Sequence, residues 1–149
     1  GGFGGGSVNH AWSGGALTVI SRYLCGIYPI EPGYKVFKIE PALTLLKNVS
    51  ITIPSVAGEI KSAFSYTDNE FVLNVTVPSG ANGIIYLPEH RNWSIFVNKK
   101  PLEEDQYNAV PTFAASVFSI CANAAPKYKH KTKETLSLSS GSYIITMKK

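Results

Sequence analysis

Cysteine is scarce in this chain of 149 residues: Cys25 and Cys121 stand far apart and form no Cys-x-x-Cys pair. Two cysteines neither demand nor exclude a disulfide, so the redox compartment stays open. No apolar run approaches the ~20 residues that a membrane-spanning helix needs, so no membrane span is expected. His10, His90 and His130 are isolated from one another and from the cysteines. No metal-ligand cluster results, and no cofactor is expected. The glycine runs neither follow a strand nor precede a Lys-Ser/Thr pair, so they are not phosphate loops. Charge is also sparse, at 16% of residues with a net of +4. Much of the excess sits in Lys127-Tyr128-Lys129-His130-Lys131-Thr132-Lys133. No aromatic ladder or nucleic-acid fold signature accompanies that run. It reads as a solvated loop, with no nucleic-acid partner expected.

What is present is apolar and regularly spaced. A hydrophobic content of 44% belongs to a folded domain, and the length suffices for one β-domain and a little more. Gly1-Gly2-Phe3-Gly4-Gly5-Gly6 reads as a flexible lead-in. Leu17, Ile20, Leu24 and Ile27 then recur at near-helical spacing, with Ala16, Val19 and Tyr23 widening the stripe. Ser13 is placed to cap this helix. Gly26 suits the left-handed residue after its end, and Pro29 forbids its resumption. A single helix cannot bury such a face by itself. The rest of its domain is therefore expected upstream, which makes the chain a C-terminal piece of something larger.

Beyond Pro29 the period changes to two. Phe37 and Ile39 point one way while Lys38 and Glu40 point the other. Val49, Ile51 and Ile53 alternate in the same manner, as do Phe71, Leu73, Val75 and Val77, with Ile60, Phe64 and Tyr66 sharing a face between them. Turns are expected at 67–70 and 78–83, and further strands at 84–88 and 93–97. The chain closes with strands at 135–138 and 143–147, either a hairpin or two successive strands. Short turns at this spacing predict an antiparallel β-sandwich. Segment 103–134 breaks the rhythm, and within it periodicity leaves 112–121 open between strand and helix.

The order of these features resembles the C-terminal end of bacterial α-L-rhamnosidases. The similar residues are Ser7, Asn9-His10-Ala11-Trp12 and Gly14 before the helix, then Gly26-Ile27, Pro29, Pro32-Gly33-Tyr34, Ile39 and Pro41 after it. Further matches are Gly58-Glu59-Ile60, Val75-Thr76-Val77-Pro78-Ser79-Gly80, Leu87-Pro88 and Ser140-Gly141-Ser142-Tyr143. The resemblance implies a mainly β fold, an antiparallel β-sandwich preceded by one helix left over from an (α/α)6 barrel. It divides the chain into 1–27, the end of a truncated helical catalytic barrel, and 28–149, the C-terminal sandwich. It also implies a whole protein that removes terminal α-linked L-rhamnose from glycans or glycosides with inversion; the compartment stays open, with the periplasm or the outside of the cell favoured over the cytoplasm. Inversion needs two carboxyl groups ~6.5–9.5 Å apart. The resemblance assigns both to the barrel, and no Asp or Glu here occupies their motif positions. The fragment by itself is expected to be inactive, with the upstream barrel as its partner.

The resemblance makes His10 the leading substrate-binding residue, since imidazole offers a donor and an acceptor that match a pair of hydroxyls. Asn9 and Trp12 join it as candidates. Asn9 also suits holding the loop backbone, and Trp12 also suits packing at the helix start. The chain departs from the family pattern at Phe64, where related sequences often have Trp, and in 103–133, which has no counterpart. Three N-glycosylation patterns, at Asn48, Asn74 and Asn92, read as chance matches in a bacterial protein. A second reading is a stand-alone carbohydrate-binding module that uses Tyr66, Tyr86, Trp93 and Tyr107 as exposed aromatics. A third is an assembly module that uses its sheet edges or the basic run.

Overall fold

The computed structural model describes residues 14–43, 46–89, 92–102 and 135–149. The glycine lead-in, Asn9, His10, Trp12, Ser13, Tyr107, Cys121, the basic run and His90 lie outside the described residues, as does the rest of 103–134.

The apolar stripe forms a short α-helix, α1 (Gly15–Val19), which passes directly into a π-helical turn, Ile20–Leu24. The wider turn is closed by Cys25 N–H donating to the Ile20 carbonyl at 2.9 Å. Gly26 ends the helix with φ +71°, as its place in the sequence requires. A Cβ there would lie 1.7 Å from the Glu40 carbonyl oxygen. The Glu40 N–H also donates to the Gly26 carbonyl at 2.9 Å, so the chain can make this corner only with glycine.

Among the described residues ten strands follow: β1 (Ile27–Pro29), β2 (Val36–Ile39), β3 (Asn48–Ser55), β4 (Gly58–Tyr66), β5 (Glu70–Val77), β6 (Asn82–Tyr86), β7 (Ser94–Val97), β8 (Lys100–Pro101), β9 (Thr135–Leu138) and β10 (Gly141–Lys148). They build two sheets, a four-stranded one in the order β1-β2-β6-β9 and a six-stranded one in the order β3-β4-β5-β10-β7-β8. The expected sandwich is therefore present. Every pairing in the larger sheet is antiparallel. The smaller sheet departs from the expected antiparallel pattern at one place, where β2 and β6 run parallel. Strands β3, β4 and β5 intervene in sequence, so the chain returns to the first sheet from the same end.

The two closing strands are successive rather than a hairpin. Strand β9 borders β6 in one sheet, and β10 enters the other between β5 and β7. The turn between them is tied by the Tyr143 hydroxyl, which donates to the Ser139 carbonyl at 3.1 Å.

The core lies between the sheets. Ile27, Phe37, Ile39, Ile85 and Leu136 from one sheet meet Ile60, Leu73, Ile145 and Met147 from the other, all buried. Phe64 and Phe71 pack at 6.2 Å between ring centroids. Val49, Ile51 and Ile53, on the edge strand, are half-buried against this core. Each inward row is the one that alternation predicts, because burying one face of a strand fixes its register to within two residues.

The helix is treated differently. Cys25 is buried at its end, yet Leu17 and Tyr23 stay 74% and 66% exposed, and Val19 and Ile20 are exposed beside them. Among the described residues no helix is long and apolar enough to cross a membrane.

Candidate functional site

Where the helix meets the smaller sheet, its last turn and three strand residues form an aromatic and cationic cluster. Tyr23 stands edge-on to Tyr28, with ring centroids 6.3 Å apart. The Arg22 guanidinium lies 5.9 Å from the centre of the Tyr28 ring. Lys38 carries its ammonium between two rings, 5.3 Å from Tyr28 and 4.8 Å from Tyr86, and pairs with Glu40. These distances suit cation–π attraction. The cluster follows from register. Tyr28 pairs with Lys38 across β1 and β2, and the alternation that sends Phe37 and Ile39 inward sends Lys38 outward.

Burial raises the Tyr28 hydroxyl above its ordinary pKa, Tyr23 and Glu40 add to the rise, and Arg22 opposes it. Tyr86 is raised by burial first and Glu40 second. Both phenols are held neutral. Burial raises the Cys25 thiol too, so it behaves as a small hydrophobe rather than as a nucleophile.

His10, Asn9 and Trp12 lie outside the described residues. Among the aromatics considered as a sugar platform, Tyr66 and Trp93 are partly buried and pack against the core. Tyr86 is half-buried beneath Lys38. Among the described residues no group of three or more His, Cys, Asp or Glu is placed to hold a metal.

A second surface escaped the sequence reading. The outer face of β3, β4, β5 and β10 carries two neighbouring rows, set by register: Thr52, Lys61, Thr76, Ser142 and Ser50, Ala63, Asn74, Ile144. They line a cleft of about 490 Å³. The outward alternation of Ser50, Thr52, Asn74 and Thr76 is visible in the sequence. The insertion of β10 beside β5, which completes the cleft, is not.

The fold thus defines an all-β, two-sheet sandwich domain with a short helical lead-in whose apolar side its own sandwich leaves bare. Residues 26–100 match the family model for the bacterial alpha-L-rhamnosidase C-terminal domain, and the chain belongs to that family. Among curated proteins it is similar to an alpha-L-rhamnosidase of Formosa agariphila, 27% identical over 95 residues that cover 63% of this chain and 10% of the relative. Among solved structures it is similar to the alpha-L-rhamnosidase of Dictyoglumus thermophilum, with a TM-score of 0.64 and 19% identity over 85% of this chain and 12% of the other. The Streptomyces avermitilis alpha-L-rhamnosidase complexed with L-rhamnose gives a TM-score of 0.63 and 17% identity, over 94% of this chain and 11% of the other. The chain spans about a tenth of the length of these relatives.

Proposed function

We propose that the chain is the C-terminal part of an inverting α-L-rhamnosidase. In this reading 28–149 is a structural accessory sandwich, and 1–27 is the end of a helical catalytic barrel. The observation that carries it is the bare helix face of Leu17, Val19, Ile20 and Tyr23. Apolar surface of this kind, joined to the sandwich through Gly26 and the Tyr28 cluster, is surface that a partner domain covers. Family membership and the rhamnosidase relatives support the identity of that domain. The substrate of the whole protein is a terminal α-L-rhamnoside of a glycan or glycoside. Its acid and base belong to the barrel, and His10 hydrogen-bonds the bound sugar, flanked by Asn9 and Trp12.

The test uses an aryl α-L-rhamnoside. The whole protein turns it over, and proton NMR shows the β anomer as first product. The 149-residue chain alone gives no turnover. His10→Ala in the whole protein raises KM at least about tenfold, more than it lowers kcat, as the loss of a ground-state sugar contact requires. A whole protein without rhamnosidase activity, or His10→Ala with unchanged kinetics, refutes the respective part.

A further inference from the structure

The cleft on the outer face of the six-stranded sheet is unusual in what it carries. A sheet face turned to water ordinarily mixes charges of both signs. The outward polar side chains that line the cleft are Ser50, Thr52, Asn74 and Ser142, all exposed, and half-buried Thr76, with Lys61 as the one cation among the described lining residues; the Glu70–Lys148 pair stands beyond it. Glu59 pairs with Lys61 at 3.1 Å and balances its charge. The face therefore offers many hydrogen-bonding groups with almost no net field. That combination suits a neutral, polyhydroxylated ligand and disfavours a phosphate or sulfate ester.

The shape agrees with the chemistry. The cleft of about 490 Å³ adjoins a second hollow of about 360 Å³, and the two share Ser50, Ala63 and Asn74. Four strands at their usual spacing extend it over ~14 Å, which is an oligosaccharide's length rather than one ring's. The rows also differ in character. Thr52, Lys61, Thr76 and Ser142 are polar throughout, whereas the other row includes Ala63 and Ile144, the latter 45% exposed. A sugar ring has a hydroxylated rim and an apolar face, and a 6-deoxy sugar adds a methyl group for Ile144. At one end Asn98, with φ +50°, is fixed by its side-chain oxygen accepting from the Ile144 N–H at 2.9 Å. Its amide N–H groups remain as donors at the rim.

We infer that this cleft is a glycan-binding surface, separate from the helix junction, that takes a neutral oligosaccharide through the hydroxyl and amide side chains of β3, β4, β5 and β10. The choice of a 6-deoxyhexose within that class rests on the rhamnosidase reading, while the site itself does not. In so open a cleft binding is weak, in the millimolar range.

The 149-residue chain is titrated with an α-linked L-rhamnose trisaccharide, and with maltotriose in parallel, and followed by backbone amide NMR. Saturable shifts confined to residues of the cleft, weakened at least about fivefold in an Asn74→Ala, Thr76→Val variant with an otherwise unchanged spectrum, support the site. Equal binding of maltotriose supports the site and counts against the deoxy-sugar preference. No saturable shift with either sugar at 20-fold above the millimolar range overturns the inference, and so do shifts centred on Tyr28 and Tyr86. Neither of the last two results bears on turnover of the aryl rhamnoside by the whole protein.

Discussion

The helix and the sandwich draw on the same apolar residue types and use them differently. Phe37, Leu73 and Ile145 disappear between two sheets, whereas Leu17 and Tyr23, equally apolar, remain in water. The contrast teaches that the described strands, from Ile27 onward, close a core among themselves, with Cys25 joining it. The helix instead presents a surface, and among the described residues it is tied down through Gly26, Cys25, the rings of Tyr23 and Tyr28 and the Arg22 guanidinium beside Tyr28. One region spends its hydrophobicity on its own stability, and the other holds it available.

Substitutions on the two sides test this contrast directly. The largest effect is expected from Phe37→Ala, which empties the centre of the sandwich and costs about 3–5 kcal/mol in urea unfolding of the chain. Gly26→Ala comes next. The left-handed φ and the collision with the Glu40 carbonyl cost at least about 2 kcal/mol, again by urea midpoint. The helix would then separate from β1, and Tyr23 would leave Tyr28.

A pH series probes the junction itself. Tyr28 and Tyr86 have raised pKa values, so the folded state favours their neutral form. Their contribution is complete below about pH 10, the unfolded value, and is lost as pH rises through the higher folded values. The chain therefore loses stability above pH 10, and Tyr28→Phe with Tyr86→Phe flattens that part of the urea-midpoint curve relative to the parent.

The smallest effect is expected from Leu17→Glu. In the 149-residue chain it shifts stability by less than about 0.5 kcal/mol, since the side chain is already in water. In the whole protein the same substitution buries a charge against the proposed barrel, and thermal unfolding should shift markedly downward. A large loss in the isolated chain would erase the distinction between the two regions.

Much of this architecture was legible from the order of residues. Alternation in 48–53 and 71–77 identified the inward rows because each strand buries one face, and Gly26 followed by Pro29 marked the helix end. Cys25 as a small buried hydrophobe, and Tyr66 and Trp93 as core-packing aromatics, follow from the same logic. Pairing was less accessible. Alternation says which way a side chain points and not which strand lies beside it, so the parallel β2–β6 contact and the division of β9 and β10 between sheets could not be read. The π turn at Ile20–Leu24 was hidden for a related reason, since the stripe of Leu17, Ile20 and Leu24 suits either helix type. The cluster around Lys38 depends on β1, β2 and β6 lying side by side, which no local pattern encodes. His10, Asn9 and Trp12 rest on motif likeness alone.

Strand β10 follows every other described strand in sequence, yet it lies between β5 and β7 inside the six-stranded sheet. Until residues 141–148 emerge from the ribosome, β5 and β7 have unsatisfied backbone edges that face each other across a gap. Such open edges are templates for pairing with other chains. Folding of the sandwich is therefore completed after translation of this segment, and premature termination before Gly141 would yield an aggregating species rather than a smaller domain.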